Sequence, residues 1–389
     1  MITVEEARAL LLDLVEPLGA EEAPLAGAAG RVLAHDVAAT RDQPPFAAAS
    51  MDGYAVKSAE VERHAMFKVI GEAAAGHRFD GVLGAGQAVR IFTGAPVPAG
   101  ADFVVIQEDV SRTGDLITIT DAPGDKPNIR PAGVDFRVGQ TLAAPRILRP
   151  EDVALLASMN IPRVPVRRRP VVALISTGDE LVMPGETPGP DQIIASNTFG
   201  LKALFEANGA QVRVLPIARD TRASLTTAFD LAQGADLVIT IGGASVGDHD
   251  LVAHVAGDLG MERSFYKVRM RPGKPLMAGR IGDMPMVGLP GNPVSAMVCG
   301  YIFILPMLRR MLDLDPGITL CEAVLSAPLG PNGPREHYMR ARVDDGQIAT
   351  FGDQDSSLLS ILAQANALLM RPPEDPARAA GERVRYVPI

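Results

Sequence analysis

The stretch Asp236-Leu-Val-Ile-Thr-Ile-Gly-Gly-Ala-Ser-Val-Gly-Asp-His-Asp250 combines bare backbone amides with hard oxygen donors. Leu237 to Ile241 is a short apolar run rich in β-branched residues, which predicts a strand buried on both faces. It stops at Gly242-Gly243, where the missing Cβ lets the backbone turn sharply and bring its N–H groups close to a phosphate. Asp248 and Asp250 follow within the same stretch and suit Mg2+, which prefers oxygen ligands. A tight turn into a helix with an acidic start accounts for the same residues equally well. Gly243-Ala-Ser-Val-Gly247 also fits the G-x-S-x-G nucleophile elbow, with Ser245 as nucleophile. The rest of a triad is poorly supplied, because only His249, His254 and His337 follow and His249 is too near in sequence to be an ordinary partner.

Other segments predicted to leave strand ends carry similar chemistry. Ser176-Thr-Gly-Asp-Glu180 follows one strand, Arg219-Asp220 another, and Leu289-Pro-Gly-Asn-Pro293 leads into a helix amino terminus that forms a second natural anion site. Each alone reads as turn chemistry, but ligands of doubly wound sheets bind beyond the strands' carboxyl ends, so these segments converge on one crevice. In Tyr266-Lys-Val-Arg-Met-Arg-Pro-Gly-Lys-Pro275, a period of two puts Lys267, Arg269 and Arg271 on one strand face, with Lys274 after the Pro-Gly turn. That run is either a local anion platform or a solvated edge strand. A phosphorylated ligand with Mg2+ accounts for both the cations and the carboxylates. Neither a Walker A signature nor G-x-G-x-x-G occurs, so an ordinary NTPase or dinucleotide enzyme has no support.

The elements that must position these residues alternate. Strands Val171 to Ile175, Val212 to Ile217, Leu237 to Ile241, Phe265 to Met270 and Met286 to Leu289 interleave with helices Thr198 to Asn208 (capped by Asn197), Thr221 to Gln233, one starting near Asp250, and Val294 to Leu312. This predicts an α/β fold with a doubly wound, mostly parallel sheet over residues 171–315. Residues 44–136 read as a small β-rich domain, with strands near Phe67 to Ile70, Ala88 to Phe92, Phe103 to Gln107 and Leu116 to Thr120. Its loops Pro44 to Val56 and Phe92 to Asp102 hold Asp52 and Thr93, and Asp52-Gly53 reads first as hairpin chemistry. Residues 1–43 with 137–170 form a helical and linker dimerisation domain, and 316–389 a carboxy-terminal β domain. Thr3-Val-Glu-Glu6 is a capping box. The helix it opens has an apolar stripe (Val4, Ala7, Leu11, Leu14, Leu18) buried within the chain or at a dimer seam. A further helix spans Glu151 to Met159, and Arg167-Arg-Arg-Pro170 reads as a solvated linker.

The totals bound the class. A chain of 389 residues calls for two to four domains, and 47% hydrophobic against 21% charged residues supplies a real core. A net charge of -9 argues against nucleic acid as a partner. Cys299 and Cys321 are too few for a disulfide framework, so a reducing cytoplasm is expected. The first residues lack signal-peptide features and no run approaches about 18 apolar residues, so neither secretion nor a membrane is expected.

Ser50-Met-Asp-Gly-Tyr-Ala55, Phe92-Thr-Gly-Ala95, Ser176-Thr-Gly-Asp-Glu-Leu181, Gly242-Gly-Ala-Ser-Val-Gly-Asp-His-Asp250, Arg271-Pro-Gly-Lys-Pro275 and Gly288-Leu-Pro-Gly-Asn-Pro293 stand in one order along the chain. Together they resemble the molybdopterin molybdenumtransferase family, which includes the E domain of gephyrin. The resemblance implies a homodimer with a shared active site, in which molybdate enters the dithiolene of adenylylated molybdopterin with Mg2+ and AMP leaves. A molybdopterin adenylyltransferase would supply the substrate.

On that resemblance Asp248, Glu180 and Asp220 line the nucleotide and metal side, with Asp248 and Glu180 as metal ligands. Thr177, Gly178, Gly242, Gly243 and Ser245 contact substrate, while Lys267, Arg271 and Lys274 hold oxyanions and Pro290 and Pro293 shape the loop beneath. Asp52, Thr93, Arg130 and Asp135 come across the dimer interface. The family usually has lysine at Arg271, which changes donor geometry, and Gly-Glu-Asp where Gly133-Val-Asp135 stands, so one carboxylate is missing. A non-catalytic molybdopterin-binding scaffold of gephyrin type is the alternative.

Overall fold

Successive residues of the central strands point to opposite faces, and both faces are apolar, which is why these runs make a sheet covered on both sides. The computed structural model describes residues 1–122, 124–243 and 251–389, and the chain divides into two compact units, Met1–Glu21 with Arg167–Ile389, and Glu22–Val166.

In the larger unit a six-stranded sheet runs in the order Gln211–Val214, Val171–Ser176, Leu237–Ile241, Met284–Leu289, Pro275–Ile281, Met261–Lys267. The first four are parallel, and the last two add antiparallel. The fold is thus α/β and doubly wound, with an antiparallel edge. The strand Pro275–Ile281, not foreseen, forms a hairpin with Met284–Leu289. Val172, Leu174, Ile239 and Val287 face one core with Leu201 and Phe205 of helix Asn197–Ala207, while Ala173, Ile175, Val238 and Met286 face another with Leu225 and Phe229 of helix Arg222–Leu231.

Three expectations change here. The amino-terminal helix Val4–Leu12 keeps its capping box, with Glu6 N donating to Thr3 Oγ1 at 3.1 Å and Thr3 N to Glu6 Oε2 at 2.7 Å. Its stripe packs on helix Leu305–Met311 and the α/β core of the same chain, the first of the two placements expected, but the helix groups with residues 167–389 and not with 137–166. The run Arg167 to Pro170 is not merely solvated, because Arg168 makes a two-pronged ion pair with Asp236 at 2.7 and 2.8 Å. The third concerns hydropathy. Pro293–Met311 is long and apolar enough by composition to cross a bilayer, yet 72% of it is buried in the protein, where it serves as a core helix with a π turn at Gly300–Ile304.

The same unit carries a small barrel of Cys321–Leu325, Glu336–Asp344, Gln347–Thr350, Ala367–Arg371 and Arg383–Pro388, closed by pairing of Glu336–Asp344 with Ala367–Arg371. Met270–Arg271 pairs with it at Glu336 and His337. The chain therefore leaves the α/β sheet after Lys267, and Lys267, Arg269 and Arg271 do not share one strand.

The second unit is built on a sheet ordered Phe103–Ile106, Gly53–Val56, Gln87–Ile91, Met66–Ala73, Leu116–Ile119, Val110–Thr113. Period-two alternation sorts Ala55, Val89, Ile91 and Val104 to one core, and Tyr54, Val56, Ala88 and Val105 to the other. Gly53 lies inside a strand, where an added Cβ would come within 1.9 Å of the Val105 carbonyl oxygen. Close strand packing, not a hairpin turn, explains Asp52-Gly53. Helix Pro150–Ser158, led by Pro150, packs Leu156 into a separate core with Phe136, Leu148 and Val164.

Candidate functional site

Beyond the carboxyl ends of the parallel strands lies a cavity of about 740 Å3, lined by Thr177, Gly178, Glu180, Asp220, Gly242, Gly243, Pro290, Gly291 and Asn292 together with Leu251, Val252, His254 and Pro275. A second depression of about 400 Å3 shares Thr177, Glu180, Gly242, Gly291 and Asn292 and adds Ile193, Ile194, Pro293 and Ser357. Loops after four different strands thus meet in one crevice, as the alternation of elements requires.

The local geometry explains the residue types. Gly242 and Gly243 both have positive φ, +94° and +64°, which L side chains rarely adopt. A Cβ at Gly243 would also strike Val252 Cγ2 at 2.2 Å, so the glycine lets helix Leu251–Asp258 pack close to the strand end. Gly178 likewise leaves room for the Glu180 carboxylate, which lies 2.2 Å from where a Cβ would be. Asn197 Nδ2 donates to the Gly291 carbonyl at 2.7 Å, fixing the loop after the strand Met284–Leu289. Arg219, between a strand and a helix, is structural: its Nη1 donates to the carbonyls of Asp179 and Leu181 at 3.1 Å each.

Two expected anion donors are already used. Gly242 N donates to Leu289 O at 3.1 Å, whereas among the described residues Gly243 N donates to no acceptor. At the second expected anion site Pro293 has no N–H, and Val294 N donates to Ser356 O at 3.0 Å. The cavity wall also carries the carboxylates of Glu180 and Asp220 but no lysine or arginine among the described residues.

Lys267, Arg271 and Lys274 stand outside that lining set. Lys267 Nζ lies 5.3 Å from the Tyr266 ring centroid, Arg271 is paired with His337 on the barrel, and Lys274 is exposed directly before Pro275. Asp248 and Ser245 lie outside the described residues. No group of three or more potential side-chain metal ligands occurs among the described residues. Glu180 and Asp220 nonetheless fit Mg2+, which commonly takes one or two carboxylates and leaves other positions to water and phosphate.

In the other unit, Asp52, Thr93, Arg130 and Asp135 all sit on segments docked to residues 43–52. Ala48–Ala49 pairs with Ile129–Arg130, Gly94 N donates to Ala49 O at 2.9 Å, and Asp135 N donates to Gln43 O at 3.0 Å. Asp52 Oδ1 accepts from both Thr93 N and Thr93 Oγ1, at 2.7 Å each. The Thr93 amide first, then its hydroxyl and the charge of Arg90, hold the Asp52 carboxyl below the usual carboxylate range.

In the sequence His254 and His337 stood out only as possible triad partners, not as a cavity residue and the centre of a basic cluster on the barrel. His254 stands three residues after Leu251 on helix Leu251–Asp258, a spacing that turns both to the cavity. His337 is 7% exposed, and burial, with Arg271, Arg340, Arg335 and Arg371 nearby, pushes its pKa down to about 4. Arg340, 2% exposed, donates to the Asp355 carbonyl at 2.6 Å and to Gln354 Oε1 at 3.2 Å.

Comparison with known proteins matches residues 2–160 to the MoeA N-terminal region (domain I and II), 173–310 to a probable molybdopterin binding domain, and 322–389 to the MoeA C-terminal region (domain IV). A molybdopterin molybdenumtransferase from a Nostoc species is 35% identical over 96% of this chain and 90% of the relative. One from Haemophilus influenzae is 34% identical over 100% of this chain and 99% of the relative. A crystal structure of a molybdopterin biosynthesis MoeA protein from Pyrococcus horikoshii superposes with a TM-score of 0.87 at 30% identity, over 100% of this chain and 99% of the other. Full-length identity and a shared fold together show that the chain belongs to the molybdopterin molybdenumtransferase family.

Proposed function

We propose that this protein is a molybdopterin molybdenumtransferase that inserts molybdate into adenylylated molybdopterin, releases AMP, and works as a homodimer with a shared site. The observation that carries the reading is the crevice in which Thr177, Gly178, Glu180, Asp220, Gly242, Gly243 and Pro290 meet. Its two carboxylates, with no lysine or arginine among the described lining residues, would repel a bare phosphoanhydride. Bound Mg2+ would offset that charge and polarise the phosphoanhydride, so Glu180 and Asp220 are the described residues that would hold it.

The chain's own groups supply the rest. The Gly243 amide binds an anionic oxygen, and Lys274, beside Pro275 at the cavity wall, offsets oxyanion charge together with Arg271 and Lys267. Ile193 and Ile194 are exposed on the rim of the second depression, and Met51 and Val134 are exposed beside Asp52 and Asp135. Exposed apolar residues next to polar site residues favour burial against a partner protomer. On this reading Asp52, Thr93, Arg130 and Asp135 of one protomer complete the crevice of the other, and an adenylyltransferase supplies the substrate.

The purified chain is incubated with adenylylated molybdopterin, molybdate and Mg2+, and AMP is measured. The wild type should release AMP, and Glu180→Gln should lower the rate at least about tenfold. Binding of the pterin with no AMP from the wild type would instead favour a scaffold role.

A further inference from the structure

Arg90 lies on strand Gln87–Ile91, directly across from Tyr54 on Gly53–Val56. Its guanidinium carbon sits 5.0 Å from the Tyr54 ring centroid and 4.7 Å from that of Phe92. Tyr54 stands two residues after Asp52 and Phe92, just past the end of Gln87–Ile91, stands next to Thr93, so both rings close on the guanidinium beside the Asp52–Thr93 pair. Arg90 Nη1 donates to the Gly53 carbonyl at 3.2 Å and Nη2 to Gln107 Oε1 at 2.7 Å. Gln107 in turn donates its backbone N–H to the Asp52 carbonyl at 3.0 Å. Arg90 therefore braces the two successive carbonyls that follow the Asp52 side chain, that of Gly53 directly and that of Asp52 itself through Gln107.

We propose that Arg90 is a positioning residue that holds the Asp52–Thr93 pair in the geometry the transfer reaction uses. The inference rests on the reading of this chain as a molybdenumtransferase with Asp52 in its site. A side chain whose only duty was stability could stack on Tyr54 alone. Here the fork also bonds the Gly53 carbonyl and the side chain of Gln107, whose own amide holds the Asp52 carbonyl, and its positive charge acts on the Asp52 carboxylate. Lysine cannot reproduce this, because an ammonium has no plane to lie between two rings while pointing donors at two separate acceptors. The charge bearing on Asp52 is that of Arg90, and Gln107 Nε2 is itself tied to Glu108 Oε1 at 3.2 Å.

The test uses full-length homodimers of wild type, Arg90→Ala, Arg90→Lys and Gln107→Met. It measures steady-state AMP release, a pH-rate profile, and the Asp52 carboxyl titration by 13C NMR on selectively labelled protein. Arg90→Ala is expected to lower kcat about 10- to 100-fold, the range typical of lost supporting hydrogen bonds, with KM for adenylylated molybdopterin within about twofold. Its Asp52 titration should move up toward the ordinary aspartate range, Arg90→Lys should restore the titration more than kcat, and Gln107→Met should lower kcat without moving thermal stability. Unchanged kcat and an unmoved Asp52 titration in Arg90→Ala would overturn the proposal. So would a loss of rate that only tracks a lowered Tm. Should Arg90→Ala not fold, Gln107→Met decides in its place. A wild type that makes no AMP while Asp52 still shifts on replacing Arg90 would sink the functional reading and leave the positioning role standing.

Discussion

Gly291 packs against Gly242: a Cβ built on Gly291 would lie 3.6 Å from the Gly242 Cα. The loop after the strand Met284–Leu289 thus rests on the loop after Leu237–Ile241, and the two share the cavity wall. No side chain separates them, and the Gly243 amide, which has no acceptor among the described residues, lies in the cavity wall. Replacing Gly243 by alanine meets both a positive φ and Val252 Cγ2 at 2.2 Å. The strain of about 1–2 kcal/mol should be relieved by local displacement, not by unfolding. Gly243→Ala should weaken equilibrium binding of adenylylated molybdopterin about tenfold or more while Tm moves by only a few degrees. Unchanged affinity, read by calorimetry, would detach this turn from the ligand.

Asp236 accepts from both guanidinium arms of Arg168 and, through the same carboxylate, from Val171 N at 2.8 Å. It thereby fixes the start of strand Val171–Ser176 beside the start of Leu237–Ile241. Asp236→Ala leaves a backbone N–H and a guanidinium without their acceptor and should lower stability by about 1–3 kcal/mol. Arg168→Ala should cost less, because its side chain is 43% exposed and solvent replaces the lost partner. Urea unfolding of both variants, compared at equal m-value, checks the order.

His337 stays neutral at ordinary pH because it is buried first, and faces Arg271, Arg340, Arg335 and Arg371 second. Its folded pKa of about 4 lies below the unfolded value near 6.5. Unfolding therefore takes up a proton in that window, so the stability tied to neutral His337 is complete above about pH 6.5 and is lost as pH falls toward 4. The displacement corresponds to on the order of 3 kcal/mol. Urea midpoints measured between those pH values should fall steeply in the wild type and less steeply in His337→Gln. Parallel slopes would remove the assignment.

Sequence alternation was enough to read the doubly wound unit, because Leu237–Ile241 and its neighbours carry the apolar pattern of strands buried on both faces. The small β unit was readable for the same reason, from runs such as Phe103–Ile106. What escaped was decided by tertiary contact. Gly53 looks like turn chemistry in a sequence, and only the Val105 carbonyl beside it shows a strand packed too tightly for a side chain. Pro275–Ile281 begins with Pro-Leu-Met-Ala-Gly, a weak strand signal that the hairpin with Met284–Leu289 overrides. The run from Lys267 to Arg271 has an unbroken period of two, yet the chain crosses there from one sheet to another. In the crevice Glu180, Asp220, Gly242 and Pro290 were legible because each follows a strand end, whereas Arg90 was not, since nothing local says that Tyr54 lies across from it.

That Asp52 of one protomer and Glu180 of the other serve one reaction centre, as proposed, is tested most directly by mixed dimers. Chains carrying Asp52→Ala and chains carrying Glu180→Gln are co-expressed with different tags, the heterodimer is isolated, and molybdate-dependent AMP release is compared with each parent homodimer. A shared site leaves one of the two centres fully wild type, so the heterodimer should regain about half the wild-type rate while both parents stay inactive. A heterodimer as inactive as its parents would contradict the account.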